Sequence, residues 1–330
     1  MKKKVLIVSF SFEQEPEAFQ ALEEAGLEPV LLAERDRKGF TEKDFTRYWE
    51  SLQEKPSGIL MGADIPLGKF FAERAEGLQG ISLNCAGADH LDLQAMEEQG
   101  IAVCNVPRQN YEAVADFIWG LILAVMRKIP QGNQAIRRGE WCRGVERGCA
   151  VSGKTIGIIG FGAIGQAVAK RALGFDMKIL VSSTSKKTEP AERYHAEYVD
   201  RNRLFQEADI LVPACPLVPE TFHMINEETL GRMKREAVIV NASRGGIIDT
   251  EALLSALREQ KIGGAGLDVF EEEPLAASEL FGLNNVILTP HMGGLADREI
   301  HQVAMQSAYH MAKLLEGEKT GTELTGRNRT

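Results

Sequence analysis

Short apolar runs alternate with amphipathic stretches of helical period along nearly the whole chain, the pattern of an α/β protein with parallel sheets. Two series can be traced. The first has runs at Val5 to Phe10, Pro29 to Ala33, Gly58 to Met61, Ile81 to Asn84 and Ala102 to Val106, separated by helix-like segments such as Pro16 to Ala25. That order describes a five-stranded doubly wound unit. The second has runs at Thr155 to Ile159, Lys178 to Ser182, Ile210 to Ala214, Val238 to Ala242, Ala265 to Val269 and Val286 to Thr289, a sheet of about six strands.

Between the two series, Tyr111 to Ile129 is apolar on most faces and is followed by Pro130, which predicts one long buried helix joining two lobes and offering a dimer contact. After the last strand, Arg298 to Leu315 keeps helical periodicity and is expected to return to the first lobe, making that lobe discontinuous in sequence.

The strongest local signal is Gly160-Phe161-Gly162-Ala163-Ile164-Gly165, which follows the strand Thr155 to Ile159 and opens a helix predicted to run through Leu173. Strand, turn, helix and second strand fit within roughly thirty residues, as a dinucleotide-binding βαβ unit requires. The first glycine permits the tight turn, the second lets a pyrophosphate approach the backbone, and the third lets helix and strand pack closely. The helix N-terminus then faces the phosphates. The predicted fold class is therefore α/β with two doubly wound parallel-sheet domains: a flavodoxin-like domain from residues 1–106 plus 295–330, and a Rossmann domain from residues 107–294.

A Rossmann strand usually ends on a carboxylate that accepts from the ribose hydroxyls. Here the second strand runs into Ser182-Ser183-Thr184-Ser185-Lys186-Lys187 instead. Small hydroxyls such as Ser183 and Thr184 can donate to a 2′-phosphate and Lys186 can neutralise it, which favours NADP over NAD, with NAD still possible. The alternative is a solvated polar loop with relaxed cofactor choice.

Composition narrows the classes further. The chain has 330 residues and 44% hydrophobic content, enough for two domains of ordinary size. Its 47 acidic against 38 basic side chains give a net charge of -9, which argues against a nucleic-acid partner. The basic start Met1 to Lys4 precedes an apolar stretch too short for a signal peptide, and the longest apolar run, Phe117 to Met126, is about half of a membrane span. Five cysteines with no CxxC spacing (Cys85, Cys104, Cys142, Cys149, Cys215) and six scattered histidines suggest neither a disulfide framework nor a metal site, and fit a cytoplasmic protein.

Three more segments follow predicted strands, where an open α/β sheet builds its site. Asn241-Ala242-Ser243-Arg244-Gly245-Gly246 frees an arginine fork for a carboxylate, or for a surface ion pair. Leu267 to Leu275 carries Glu273 before Pro274, and Thr289-Pro290-His291 puts a histidine after a proline. A histidine with a carboxylate neighbour is held in one orientation and has its charged form favoured, which suits acid/base work near neutral pH. A lone loop histidine serves equally well as a surface or capping group.

Together these segments closely resemble the D-isomer-specific 2-hydroxyacid dehydrogenase family, in its order and approximate spacing, over nearly the whole chain. The resemblance implies a substrate (catalytic) domain and a cofactor domain with the active site in the cleft between them, and a homodimer built around the cofactor domains. It implies that Arg244 holds the substrate carboxylate, that His291 exchanges the proton on the carbonyl or hydroxyl oxygen, and that Glu273 pairs with His291. The cofactor site it implies comprises Gly160, Gly162, Ala163, Ile164, Gly165, Ser183, Thr184, Lys186, Cys215, Pro216, Thr221, Ala242, Ser243, Asp268 and Gly293.

In the first lobe, Cys85 to Asp92 looks like the family's substrate loop, with the backbone amides of Ala86 and Gly87 meeting the carboxylate. Cys85, Ala88 and His90 depart from the residues common there. Gly62 stands where phosphoglycerate dehydrogenases usually carry a phosphate-binding arginine, and no regulatory domain is expected after Leu315. The substrate expected is therefore a small 2-oxo or 2-hydroxy acid such as glyoxylate, hydroxypyruvate or a sugar-derived 2-oxo acid. Two alternatives stay open: a D-3-phosphoglycerate dehydrogenase, and a dinucleotide-sensing protein similar to the family's corepressors.

Overall fold

The computed structural model describes residues 2–32, 40–63, 65–141, 147–275 and 277–326. Met1, Ala33 and Cys142, named above, lie outside the described residues. The chain divides into two compact units, Met1–Asn110 with Leu295–Thr330, and Tyr111–Gly294.

The first unit is built on a parallel sheet of five strands, β1 (Lys3–Val8), β2 (Leu27–Leu31), β3 (Gly58–Met61), β4 (Gly80–Leu83) and β5 (Ala102–Cys104), in the order β2-β1-β3-β4-β5. The central strands β3 and β4 are buried along their whole length, as strands covered on both faces must be. One cover is the helix Asp297–Glu316, which packs on β3 and β4 through Ala304, Ala308, Met311 and Leu315. The approach is close at Gly58, where a Cβ would stand 2.4 Å from the Met311 sulfur.

The second unit carries seven parallel strands, β6 (Thr155–Ile159), β7 (Lys178–Ser182), β8 (Ala196–Tyr198), β9 (Ile210–Pro213), β10 (Val238–Asn241), β11 (Gly264–Leu267) and β12 (Val286–Leu288). Their order is β12-β11-β10-β9-β6-β7-β8. Sheet order reverses between β6 and β9, so loops leaving the carboxyl ends of these two strands diverge and open the crevice in which such sheets bind ligands.

This sheet has one strand more than the sequence reading gave. The extra strand, β8, is only three residues long and pairs with the edge of β7, and its residues are half-buried or exposed. It has no apolar run, and it is held instead by tyrosines, with Tyr194 and Tyr198 both turning to the edge of the Phe161 ring.

At Pro130 the chain also departs from the single long helix expected over Tyr111 to Ile129. The buried helix ends at Arg127, Lys128 takes a left-handed conformation at φ 53°, and a new helix Ile129–Arg137 holds Pro130 in its first turn. Proline has no N–H for the carbonyl four residues back and its ring clashes with it. That carbonyl, on Met126, accepts from the Cys149 amide at 2.8 Å.

The helix Tyr111–Arg127 itself is a core element of the second unit, burying eight side chains against β10, β11 and the helix Ala163–Ala172. Its Trp119 stacks on Phe175 and donates to the Val168 carbonyl at 3.1 Å.

Candidate active site

At the switch point, Gly160 leaves β6 with φ 93°, a backbone that L side chains avoid, and a Cβ there would sit 2.4 Å from the Ala214 carbonyl oxygen just after β9. A Cβ on Gly165 would lie 2.3 Å from the Gly160 carbonyl oxygen, so helix and turn are in backbone contact. Gly162 is different. It precedes the helix Ala163–Ala172 with no side-chain cap, and nothing lies within 4 Å of where its Cβ would be. The first-turn amides of Ala163 and Ile164 have no carbonyl to reach within their helix. Orphan donors at a helix N-terminus with open space before them fit a pyrophosphate.

Beyond β7, Ser183 is half-buried while Thr184, Ser185, Lys186 and Lys187 are exposed. The Tyr198 hydroxyl fixes this segment from the far side: it accepts from the Lys187 amide at 2.9 Å and donates to the Lys187 carbonyl at 3.1 Å. No local pattern marks this anchor, because the short edge strand that carries it leaves no apolar run.

The loops after β9 and β10 are tied together. The Ser243 hydroxyl donates to the Cys215 carbonyl at 2.6 Å, and within the loop after β9 the Thr221 hydroxyl accepts from the Val218 amide at 2.8 Å and shares its one proton between the Pro216 and Val218 carbonyls at 2.8 and 3.0 Å. Burial pushes the Cys215 thiol up to about 11, so it stays protonated at neutral pH. Asn241 folds back to shape the arginine segment, its carboxamide accepting from the Ser243 amide at 3.0 Å and donating to the Arg244 carbonyl at 2.9 Å.

Gly245 lets that segment lie directly on the loop after β11, with its missing Cβ position 1.9 Å from the carbonyl carbon of Phe270. A second tie is absent from the sequence reading. His223 donates its backbone amide to the Gly246 carbonyl at 2.8 Å, and its Nε2 pairs with Glu271 at 2.7 Å. The other Glu271 oxygen accepts from the Thr250 amide at 2.8 Å. Residues 48 apart in sequence form this pair, and no local pattern marks it.

Asp268 is 1% exposed, and its carboxylate accepts from the Thr289 hydroxyl at 2.6 Å and from the Met292 and Gly293 amides at 2.9 and 2.8 Å. Its carbonyl takes the His291 amide at 2.8 Å. These four bonds bracket His291, whose φ of 51° is costly for a non-glycine residue and persists where the surroundings over-determine it. Asp268 and Gly293 thus act on each other in shaping the histidine turn.

His291 and Glu273 meet. The imidazole Nδ1 lies 2.7 Å from Glu273 Oε2, and the other carboxylate oxygen accepts from the Phe270 amide at 2.9 Å. With Nδ1 so engaged, Nε2 is the nitrogen left for proton exchange with a ligand.

The hydrogen bond that His291 donates to Glu273 raises the His291 pKa above its ordinary value; burial opposes this, the charges of Glu273 and Asp268 support it, and Arg244 works against it. Burial lifts the Glu273 carboxyl, but the hydrogen bond and charge of His291, the Phe270 amide and Arg244 outweigh that and hold it below the usual range. Arg244 is therefore electrostatically felt at both partners. One of its own nitrogens donates to the Ser243 carbonyl at 2.7 Å.

In the first unit, the loop after β4 carries Cys85, Ala86 and Gly87, and Asn105 donates to the Ala86 carbonyl at 2.6 Å. Among the described residues no group of three His, Cys, Asp or Glu side chains is placed to hold a metal ion, and no helix is long and apolar enough to cross a membrane.

Comparisons with known proteins agree with this geometry. The family model described as D-isomer specific 2-hydroxyacid dehydrogenase, NAD binding domain, matches residues 119–293. A glyoxylate reductase of Thermococcus litoralis is 42% identical over 288 residues, covering 82% of this chain and 87% of that protein. A D-3-phosphoglycerate dehydrogenase of Methanocaldococcus jannaschii is 43% identical over 247 residues, 74% of this chain but 47% of that protein. The crystal structure of the TT0316 protein from Thermus thermophilus superposes with a TM-score of 0.85 at 32% identity, covering 98% of this chain and 100% of that one.

A Gly-rich turn that fits a pyrophosphate, and a carboxylate-paired histidine whose charge Arg244 influences, accordingly have a family context. The chain belongs to the D-isomer-specific 2-hydroxyacid dehydrogenases, oxidoreductases that act on a CH–OH group with a nicotinamide cofactor.

Proposed function

We propose that the chain reduces small 2-oxo acids, glyoxylate and hydroxypyruvate among them, to the 2-hydroxy acids, with NADPH preferred to NADH. The observation that carries this reading is the 2.7 Å pair of His291 and Glu273. A nicotinamide cofactor supplies the hydride; the residues must supply a proton, polarise the carbonyl and orient the acid.

Protonated His291 does the first two. Its Nε2–H donates to the carbonyl oxygen and transfers its proton as charge builds there, leaving a neutral imidazole and a hydroxyl on the product. Glu273 stabilises the imidazolium beforehand and fixes the ring. At 45% side-chain exposure His291 can regain its proton from water. Arg244 pairs with the substrate carboxylate and presents the carbonyl face to the incoming hydride. The same reading gives the Ala86 and Gly87 amides contacts to that carboxylate.

For the cofactor, the first turn at Gly162, Ala163 and Ile164 takes the pyrophosphate, and Ser183, Thr184 and Lys186 take the 2′-phosphate, supported by the absence of a carboxylate at the end of β7 and by the Tyr198 anchor behind the segment. The contacts assigned to Cys215, Pro216, Thr221, Ala242, Ser243, Asp268 and Gly293 rest on their place in the loops after β9, β10, β11 and β12. A homodimer is supported by the exposed Ile129, Ile136 and Trp141, and a cytoplasmic setting by Cys85, Cys104, Cys149 and Cys215, none of which is in a disulfide.

The test is a panel of 2-oxo acids against NADPH and NADH, followed by absorbance of the reduced cofactor. NADPH oxidation on adding glyoxylate or hydroxypyruvate is expected, and Lys186→Glu should shift preference toward NADH. Turnover confined to phosphohydroxypyruvate with NADH would replace this reading by the phosphoglycerate one.

A further inference from the structure

Three successive carbonyls in the loop after β4 are each tied to a donor on the protein side. The Cys85 carbonyl accepts from the Val106 amide at 3.1 Å, the Ala86 carbonyl from Asn105 Nδ2 at 2.6 Å, and the Gly87 carbonyl from the Cys85 thiol at 3.2 Å. Among the described residues the only cis peptide precedes Pro274, so the peptides joining residues 85 to 88 are trans. In a planar trans peptide the N–H points opposite to the C=O. Fixing the three carbonyls therefore turns the N–H groups of Ala86, Gly87 and Ala88 away from the donors that hold them. None of these three amides donates to an acceptor among the described residues. Three neighbouring N–H groups left without a protein acceptor are donors that a carboxylate can use.

We propose that Asn105, seconded by the Cys85 thiol, is a positioning residue that sets the Ala86, Gly87 and Ala88 amides as a three-donor receptor for the substrate carboxylate. This rests on the reading that the loop binds that carboxylate. The surroundings of Asn105 suit such a role, since it is 9% exposed, its amide is turned toward the Thr322 carbonyl at 3.5 Å and its carbonyl accepts from the Thr322 hydroxyl at 2.8 Å. Thr322 thus holds the Asn105 main chain at both its N–H and its carbonyl, and the carboxamide reaches the loop from a fixed backbone. Glutamine is too long for the place, and aspartate offers an acceptor where the Ala86 carbonyl needs a donor.

Steady-state kinetics with glyoxylate and NADPH test it. Asn105→Ala should raise KM by about tenfold, the loss of one well-placed hydrogen bond, with kcat within about twofold and the Kd for NADPH unchanged. Asn105→Asp, which keeps the shape, should raise KM further. Cys85→Ala should raise it by about two- to threefold and Cys85→Ser, which restores a donor, should return it, as a weak thiol donor predicts. Gly87→Pro, which deletes one of the three N–H groups, tests the underlying reading.

If Gly87→Pro raises KM while the Asn105 and Cys85 variants keep the wild-type value, the positioning role is overturned and the loop reading stands. An unchanged KM in Gly87→Pro removes both. Variants of Asn105 that lower kcat and weaken NADPH binding together would mark a merely structural residue, and if neither Asn105 variant folds, the Cys85 pair decides.

Discussion

Gly245 and Phe270 touch backbone to backbone: a Cβ on Gly245 would fall 1.9 Å from the Phe270 carbonyl carbon and 2.0 Å from its oxygen. Two residues of the proposed chemistry, Arg244 and Glu273, flank this contact along the chain. No side chain can be fitted there without separating the loops, because the obstacle is main chain on both sides. Gly245→Ala should therefore cost about 1–3 kcal/mol of stability, as overpacking does, and should raise KM and lower kcat together. Thermal unfolding and kinetics on the same preparation check this, and wild-type values in both would show that the loops can part freely.

The Glu273–His291 pair sets a pH dependence. Because Glu273 raises the His291 pKa, the protonated form needed for reduction persists to higher pH than an ordinary histidine allows. Wild-type kcat/KM for reduction should be on its plateau below that raised pKa and fall as pH climbs through it. Glu273→Gln keeps an acceptor but loses the charge, so the fall should move to lower pH. Oxidation of the 2-hydroxy acid needs the neutral imidazole and should show the opposite limb. An alkaline limb at the same pH in the variant would remove Glu273 from this role.

Arg244 and His291 are expected to fail differently. His291→Ala should cut kcat by about two orders of magnitude or more, the worth of a positioned acid, with the Kd for NADPH nearly unchanged. Arg244→Lys keeps the charge but loses the fork, and should act mainly on KM for the 2-oxo acid. Normal KM and kcat in Arg244→Lys would show that no bidentate contact is made.

His223 and Glu271 give a stability prediction. Burial raises the Glu271 carboxyl, but hydrogen bonds from Thr250 and His223 more than offset this, and it titrates below its ordinary 4.5. A carboxyl depressed in the folded state contributes stability that is complete above its unfolded pKa and is lost as pH falls through its folded one. His223→Ala should lower the melting temperature near neutral pH by removing about 1 kcal/mol, with the difference from wild type shrinking as the pH drops below the ordinary carboxylate range. A constant difference across that range would sever His223 from Glu271.

Much of this architecture is written in local pattern. The runs at Gly58 to Met61 and Thr155 to Ile159 coincide with β3 and β6, because a strand covered on both faces has to be continuously apolar. β8 escapes for the opposite reason: an edge strand of three residues, Ala196-Glu197-Tyr198, buries too little to leave a run. Pro130 misleads because a proline is compatible both with the end of one helix and with the first turn of the next. In the site, Glu273 and His291 are marked by neighbouring prolines and by family resemblance. The His223–Glu271 pair and the Tyr198 anchor come from residues brought together by sheet order alone, and single-sequence periodicity carries no trace of such pairing.

The helix Asp297–Glu316 covers β3 and β4 from the far end of the sequence. On the ribosome, then, the five strands of the first sheet are made early, but one apolar face lacks part of its cover, beyond Phe12, Ala18 and Leu22, while all of Tyr111–Gly294 is translated. Val5, Ile7 and Leu60, which share a cluster with Ala304, Ala308 and Met311, gain their full packing only when that helix has been made. The core of the first sheet is therefore completed by residues synthesised after the whole second unit.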